Sequence, residues 1–219
     1  MLIHLDNVSK VYKEKDFEVP ALRNITLDIE KGEMVAIMGA SGSGKSTLLN
    51  ILGCLDKPTS GGYYLENQEI STYTEKQMAK LRNEVFGFVL QDFVLVERYT
   101  VAKNVELPLY YSKKFKKQRQ ERVDEILKQV GIVEKKNQLA LKLSGGQRQR
   151  VAIARGLVND AKIVLCDEPT GALDQKNTQN IMDILIDLNK RGKTVIIVTH
   201  DAEVAKQCSR VIYIEDGVL

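Results

Sequence analysis

A chain of 219 residues can bury the core of one large domain, or of a domain with a subdomain. Its apolar fraction of 43% and charged fraction of 28% are ordinary for a soluble globular protein. A formal charge of +3 is too small for the concentrated basic face of a nucleic-acid binder, so no nucleic-acid partner is expected. No apolar run approaches the ~18 residues of a membrane span. Residues 1–6 lack the basic and apolar regions of a signal peptide. The cysteines Cys54, Cys166 and Cys208 are far apart in apolar or helical context, which predicts reduced, buried thiols and a cytosolic setting. With two histidines and no metal-ligand spacing, a zinc site is not expected.

In chain order, residues 2–6 and 23–29 alternate apolar and polar and predict strands of an N-terminal β region. The charged residues 13–19 between them predict a loop. The continuous apolar run Met34-Val35-Ala36-Ile37-Met38 predicts a strand buried on both faces. A glycine-rich loop follows, then a helix over 46–52 and a strand over 85–90. From residue 91 to 143 glycine nearly vanishes. Val123, Ile126, Leu127 and Val130 share one helix face, with Gly131 as a stop. This stretch predicts a mostly helical subdomain inserted into a core made of 1–90 and 144–219. The run 113–117, with four lysines around Phe115, reads as a solvated helix start. Helices over 145–159, 176–190 and 201–207 then alternate with strands over 163–166, 194–199 and 211–214. That alternation predicts an α/β fold with a mostly parallel sheet covered on both sides.

The loop Gly39-Ala40-Ser41-Gly42-Ser43-Gly44-Lys45-Ser46, continued by Thr47, has the pattern G-x-x-x-x-G-K-[S/T] between a buried strand and a helix. Glycines let the backbone curl so that its N–H groups face phosphate oxygens. Lys45 is placed to reach the β- and γ-phosphates and the Ser46 hydroxyl to ligate Mg²⁺. The helix that starts there adds its positive end. ATP and Mg²⁺ are therefore the expected ligands. The apolar run 163–166 ends in Asp167-Glu168, carboxylates at the carboxyl end of a strand, where open α/β sheets bind ligands. Asp167 suits the Mg²⁺ shell, and Glu168 suits a general base on water beside the γ-phosphate.

A third motif narrows the choice. Leu143-Ser144-Gly145-Gly146-Gln147 resembles the signature of ATP-binding cassette (ABC) ATPases, and the resemblance covers essentially the whole chain. It implies a P-loop NTPase (RecA-like) core with an N-terminal antiparallel β-subdomain and an inserted α-helical subdomain. Gln91 after Phe88-Val89-Leu90 looks like the hinge glutamine that also reaches the metal. Ala172-Leu173-Asp174 looks like the loop that meets a second subunit. His200 after Ile197-Val198-Thr199 looks like the switch histidine, and Tyr12 sits where an aromatic stacks on adenine. Ser144 is a good N-cap, and Gly145 and Gly146 expose backbone N–H groups at a helix N-terminus. In the family that turn, with Gln147, addresses ATP held by another copy. The resemblance thus implies a two-fold, head-to-tail pair of this chain that buries two ATP molecules.

Within the family, the stretches 52–61, 104–109 and 167–174 look like the bacterial branch of macrolide and antimicrobial-peptide exporters and lipoprotein-releasing systems. The polar insertion after Tyr12, ending Val19-Pro20-Ala21-Leu22, fits the same branch. Leu90 and Val94-Leu95-Val96-Glu97 depart from the usual run at the expected contact with a membrane subunit, and Gly171 stands where many relatives have serine. The implied function is an ATPase subunit that powers a separate transmembrane permease from the cytoplasmic face of the membrane, exporting a drug, an antimicrobial peptide or a lipid-linked substrate. Two other functions share parts of the pattern. One is an ABC ATPase that drives a membrane signalling complex without cargo. The other is a soluble ABC ATPase, disfavoured by the single phosphate loop and the lack of sustained heptads.

Overall fold

The computed structural model describes residues 1–14, 17–112 and 114–219. Its chain opens with two long strands, β1 (Ile3–Glu14) and β2 (Phe17–Ile29), paired antiparallel from Ile3↔Ile29 to Glu14↔Phe17. The expected loop over 13–19 is therefore mostly ribbon. Lys13 pairs with Glu18 across it, with an ion pair of 2.9 Å; residues 15 and 16 lie outside the described residues. A ribbon with both faces in water needs no apolar alternation, so its charged sequence misleads a pattern reading. Two strands not expected from the sequence complete this sheet: β4 (Ser60–Leu65) and β5 (Gln68–Glu69), in order β2-β1-β4-β5. Glu66 and Asn67 join them, both at positive φ (49° and 63°), as a tight two-residue hairpin turn requires.

The second sheet begins with β3 (Met34–Met38) and gains β6 (Phe86–Val89), β7 (Ile163–Asp167), β8 (Thr194–Val198) and β9 (Arg210–Tyr213). Its order is β6-β7-β8-β3-β9, and every pairing is parallel. The helices are α1 (Lys45–Leu52), α2 (Glu75–Glu84), α3 (Val101–Glu106), α4 (Arg119–Gln129), α5 (Gly145–Leu157), α6 (Gln175–Lys190) and α7 (Ala202–Ala205). The expected α/β architecture with a parallel sheet and a separate antiparallel one is what the chain adopts. Helix α2 was not expected. Its signal was present in Thr74-Glu75-Lys76-Gln77, a capping box in which Thr74 and Gln77 satisfy each other's backbone N–H.

Strand alternation builds two apolar layers. On one face of β7 and β8, Ile163, Leu165, Ile196 and Val198 pack with Leu48, Ile51 and Leu52 of α1 and with Leu5 and Ile25 of the antiparallel sheet. On the other face, Val164, Cys166, Val195 and Ile197 meet Val151 and Leu157 of α5 and Ile181 and Leu185 of α6. Residues 91–143 carry α3 and α4, and Val101, Val105, Val123, Ile126 and Leu127 join this second layer. The lysine run precedes α4 rather than opening it: residues 114–117 form turns, and Lys114 pairs with Asp160 at 2.7 Å. Lys113 lies outside the described residues. All three thiols are free; Cys54 and Cys166 are buried as expected, but Cys208, just past α7, is only half-buried. Burial pushes Cys54 up to about 12 and Cys208 up to about 11, so both stay protonated at neutral pH.

Leu185 is fully buried between α6 and the sheet. Leu185→Ala is expected to lower unfolding stability by about 2–5 kcal/mol through lost transfer and a residual cavity. A urea melt reads this directly; a change under about 1 kcal/mol would mean the site collapses around the smaller residue.

Candidate active site

The parallel sheet sets the site. With order β6-β7-β8-β3, the segments that leave the carboxyl ends of four adjacent strands converge on one edge. They enclose a cavity of about 510 Å³. Gly39, Ser41, Gly42, Gly44, Lys45, Ser46 and Thr47 line it after β3, Gln91 after β6, Asp167 and Glu168 at the end of β7, and Val198 and His200 at the end of β8. Residues separated in the chain by more than half its length are thus brought together as the sequence predicts.

Glycine is required where the phosphate loop turns into α1. Gly44 has φ +105°, and a Cβ there would lie 2.6 Å from the Ala21 carbonyl oxygen. At Gly39 a Cβ would collide with the Ile214 carbonyl. Ala40 and Ser43 belong to the loop without lining the cavity, and the Ser43 side chain is buried. Lys45 Nζ donates to the loop's own carbonyls, Gly39 at 2.9 Å and Ala40 at 2.6 Å, which holds the ammonium over the curled backbone.

The acids differ in their surroundings. Burial and the neighbouring Glu168 charge push Asp167 above the usual carboxylate range, against the pull of Lys45 and a hydrogen bond from Ser46. Asp167 and Ser46 line the same wall of the cavity. With the Gln91 amide on the same wall they make a small set of oxygen donors. Such a set suits Mg²⁺, which is held by few protein ligands and completes its shell with phosphate and water. Glu168 sits at φ +45°, a left-handed backbone that is uncommon for a residue other than glycine. Its N–H donates to the Val198 carbonyl at 2.9 Å. Its Oε1 lies 2.8 Å from His200 Nδ1. This carboxylate is 14% exposed, whereas the imidazole is 72% exposed, so the histidine covers the acid from the solvent side.

Ser144, Gly145, Gly146, Gln147 and Asp174 do not line this cavity. They form a second cluster. Ser144 caps α5: its hydroxyl accepts from the Gln147 N–H at 3.4 Å, and Gln147 Oε1 accepts from the Ser144 N–H at 3.1 Å. Asp174 caps α6, accepting from the Asn177 N–H at 2.8 Å and from its side-chain amide at 2.8 Å. The two helix starts touch: a Cβ on Gly146 would lie 2.7 Å from Asn177 Oδ1, and one on Gly145 would lie 3.4 Å from Leu173. Neither helix start lines the cavity beside the chain's own phosphate loop.

The model of the family described as "ABC transporter" matches residues 22–171. The chain belongs to the ABC transporter family. An uncharacterized ABC transporter ATP-binding protein of Bacillus subtilis, YvrO, is 50% identical over 218 residues, covering 100% of this chain and 95% of the relative. Macrolide export ATP-binding/permease protein MacB of Escherichia coli O157:H7 is 50% identical over 216 residues, covering 99% of this chain but 33% of MacB. The chain thus spans about one third of that relative. The dimeric bacterial ABC transporter cassette MJ0796 superposes with a TM-score of 0.91 at 46% identity, covering 100% of this chain and 96% of that one. The same cassette is also solved as a dimer in a post-hydrolysis state with ADP and Pi, again at a TM-score of 0.91, with 45% identity and coverage of 100% and 96%. The chain is an ATP-binding and ATP-hydrolysing cassette. No helix among its described residues is long and apolar enough to cross a membrane.

Some features of this ABC cassette carried no sequence signal. Val19, Pro20 and Ala21 of β2 line the cavity, because the antiparallel sheet folds over the phosphate loop. Tyr12 is their neighbour rather than a lining residue: it pairs with Val19, is 39% exposed, and donates its hydroxyl to Asp56. Just past Gln91, Phe93 and Val94 both adopt positive φ (58° and 45°), and Arg155 of α5 donates to both of their carbonyls. That guanidinium stabilises a strained turn from a helix more than sixty residues away in sequence, which no local pattern reveals.

Proposed function

We propose that the chain is the ATPase subunit of a membrane export system and acts as a head-to-tail pair. One observation carries this: the Lys45 cavity and the Ser144–Asp174 cluster are distinct on one chain, each at a helix start, and the cluster does not line the cavity. A two-fold pair sets each cavity against the other copy's cluster. The dimeric structures of MJ0796 support pairing of two copies. On this reading 1–90 and 144–219 are the catalytic core, and 91–143 is a helical subdomain that receives the membrane partner.

The loop N–H groups and Lys45 hold the phosphates, and Tyr12 packs on the base. The residues that fit Mg²⁺ are Ser46, Gln91 and Asp167; when bound, the ion neutralises phosphate charge as bonds to it rearrange. Glu168 accepts the proton of the attacking water, and His200 fixes the carboxylate that does so and faces the γ-phosphate. The N–H groups of Gly145 and Gly146, the Ser144 hydroxyl and Gln147 stabilise the charge from across the pair, with Asp174 at the seam. Hydrolysis removes the group that both copies hold, and the pair opens.

Export of a drug, antimicrobial peptide or lipid-linked substrate, from the cytoplasmic face of the membrane, is supported by the identity to MacB proteins, which unite ATP-binding and permease parts under that name. Affinity purification of the tagged chain from membranes tests it. A co-purifying membrane protein whose presence raises ATP turnover is expected. A ribosomal or DNA partner, with no membrane protein, would sink the proposal.

A further inference from the structure

A charged network outside the cavity holds the aromatic ring at its mouth. The Tyr12 hydroxyl donates to Asp56 Oδ2 at 2.9 Å. Asp56 lies in the turn just after α1, the helix that the phosphate loop opens. Its other oxygen, Oδ1, accepts from Lys10 Nζ at 2.6 Å and from the Lys57 N–H at 2.7 Å. Lys10 also donates to the Lys57 carbonyl at 2.9 Å, and its ammonium lies 4.9 Å from the centroid of the Tyr12 ring. Lys10 is 13% exposed and Asp56 29%, so this pair is shielded enough for its geometry to be firm. Burial opposes the Asp56 charge, but the hydrogen bonds from Lys10, Tyr12 and Lys57 prevail and hold its carboxyl below the usual range.

The consequence is a ring with few choices. Its hydroxyl is tied to the turn after α1, a cation covers it from β1, and its strand is registered against Val19 of the cavity wall. The ring is 39% exposed on the strand next to Val19 of the cavity wall, within reach of the base of a nucleotide whose triphosphate follows the loop. A stacked base needs a platform of fixed tilt, because a mobile ring loses its freedom on binding.

We propose that Asp56 and Lys10 are positioning residues of the nucleotide site: they fix Tyr12 so that its exposed face meets the purine of ATP. The proposal rests on the phosphate-loop reading above and adds to it how the base is held.

Two ligands separate the proposal from the reading beneath it. ATP has a base; inorganic tripolyphosphate offers only the phosphates. Isothermal titration is run with both, with Mg²⁺, on the full chain. Asp56→Ala is expected to weaken ATP by about tenfold, the size of a lost stacking contact, and to leave tripolyphosphate unchanged. Tyr12→Phe removes only the hydroxyl from an exposed ribbon, so it tests the same link without risk to the fold, and it should show a smaller loss confined to ATP. The chain has no tryptophan, so Tyr12→Trp supplies a single emitter whose quenching by ATP, but not by tripolyphosphate, reports the stacked base. Equal weakening of both ligands, or no weakening of ATP in either Asp56→Ala or Tyr12→Phe, overturns the positioning role. Wild-type chain that binds neither ligand would instead overturn the phosphate-loop reading.

Discussion

Glu168→Gln is expected to leave ATP binding intact and to lower turnover by ~10²–10⁴-fold, the range for a lost general base. The amide has the carboxylate's shape and can keep a hydrogen bond to His200 Nδ1, now 2.8 Å from Oε1. It cannot accept a proton from water. Because hydrolysis is the step that lets the proposed pair separate, the variant should run as a dimer on gel filtration in ATP and Mg²⁺ and as a monomer without them. Unchanged turnover would remove Glu168 from the role of base. Lost turnover with no dimer would leave the base standing and dismiss the shared site.

Ser144→Arg should do the reverse. Ser144 lies outside its own chain's cavity, so nucleotide affinity of the monomer should stay within about twofold, as for independent sites. A long cation at the start of α5 would block the face that the second copy needs. Combined with Glu168→Gln it should prevent the ATP-dependent dimer, and alone it should abolish hydrolysis. Ser144→Ala separates bulk from capping. It removes the hydroxyl that accepts from Gln147, at about 0.5–2 kcal/mol of stability, without filling the surface. If Ser144→Arg kept full hydrolysis, each copy would be working alone.

Much of the fold was legible because the parallel sheet is buried on both faces. Runs such as 34–38, 163–166 and 195–198 have no polar interruption, and turn signals bound them. The same physics explains the failures. Residues 13 and 17–19 belong to a solvent-exposed ribbon whose stability comes from backbone pairing, so their charges hide the strand. β4 carries a glycine pair within it, and β5 has only two residues, too short for any period. The cavity's main residues were legible because phosphate chemistry demands fixed residue types at fixed spacing. Asp56, Lys10 and Arg155 were not. Each has its charged partner or acceptor far away in sequence, and nothing in its own neighbourhood distinguishes a shielded ion pair or a guanidinium on two carbonyls from ordinary surface charge.

The left-handed backbone at Glu168 sets thermal endurance against work. A strained conformation of this kind costs of order 1–3 kcal/mol, and glycine relieves it most fully. Selection for heat resistance alone would therefore reward loss of this side chain. A laboratory lineage of this cassette screened only by melting temperature would drift toward an inert nucleotide clamp, and each round needs an activity screen to hold the acid in place.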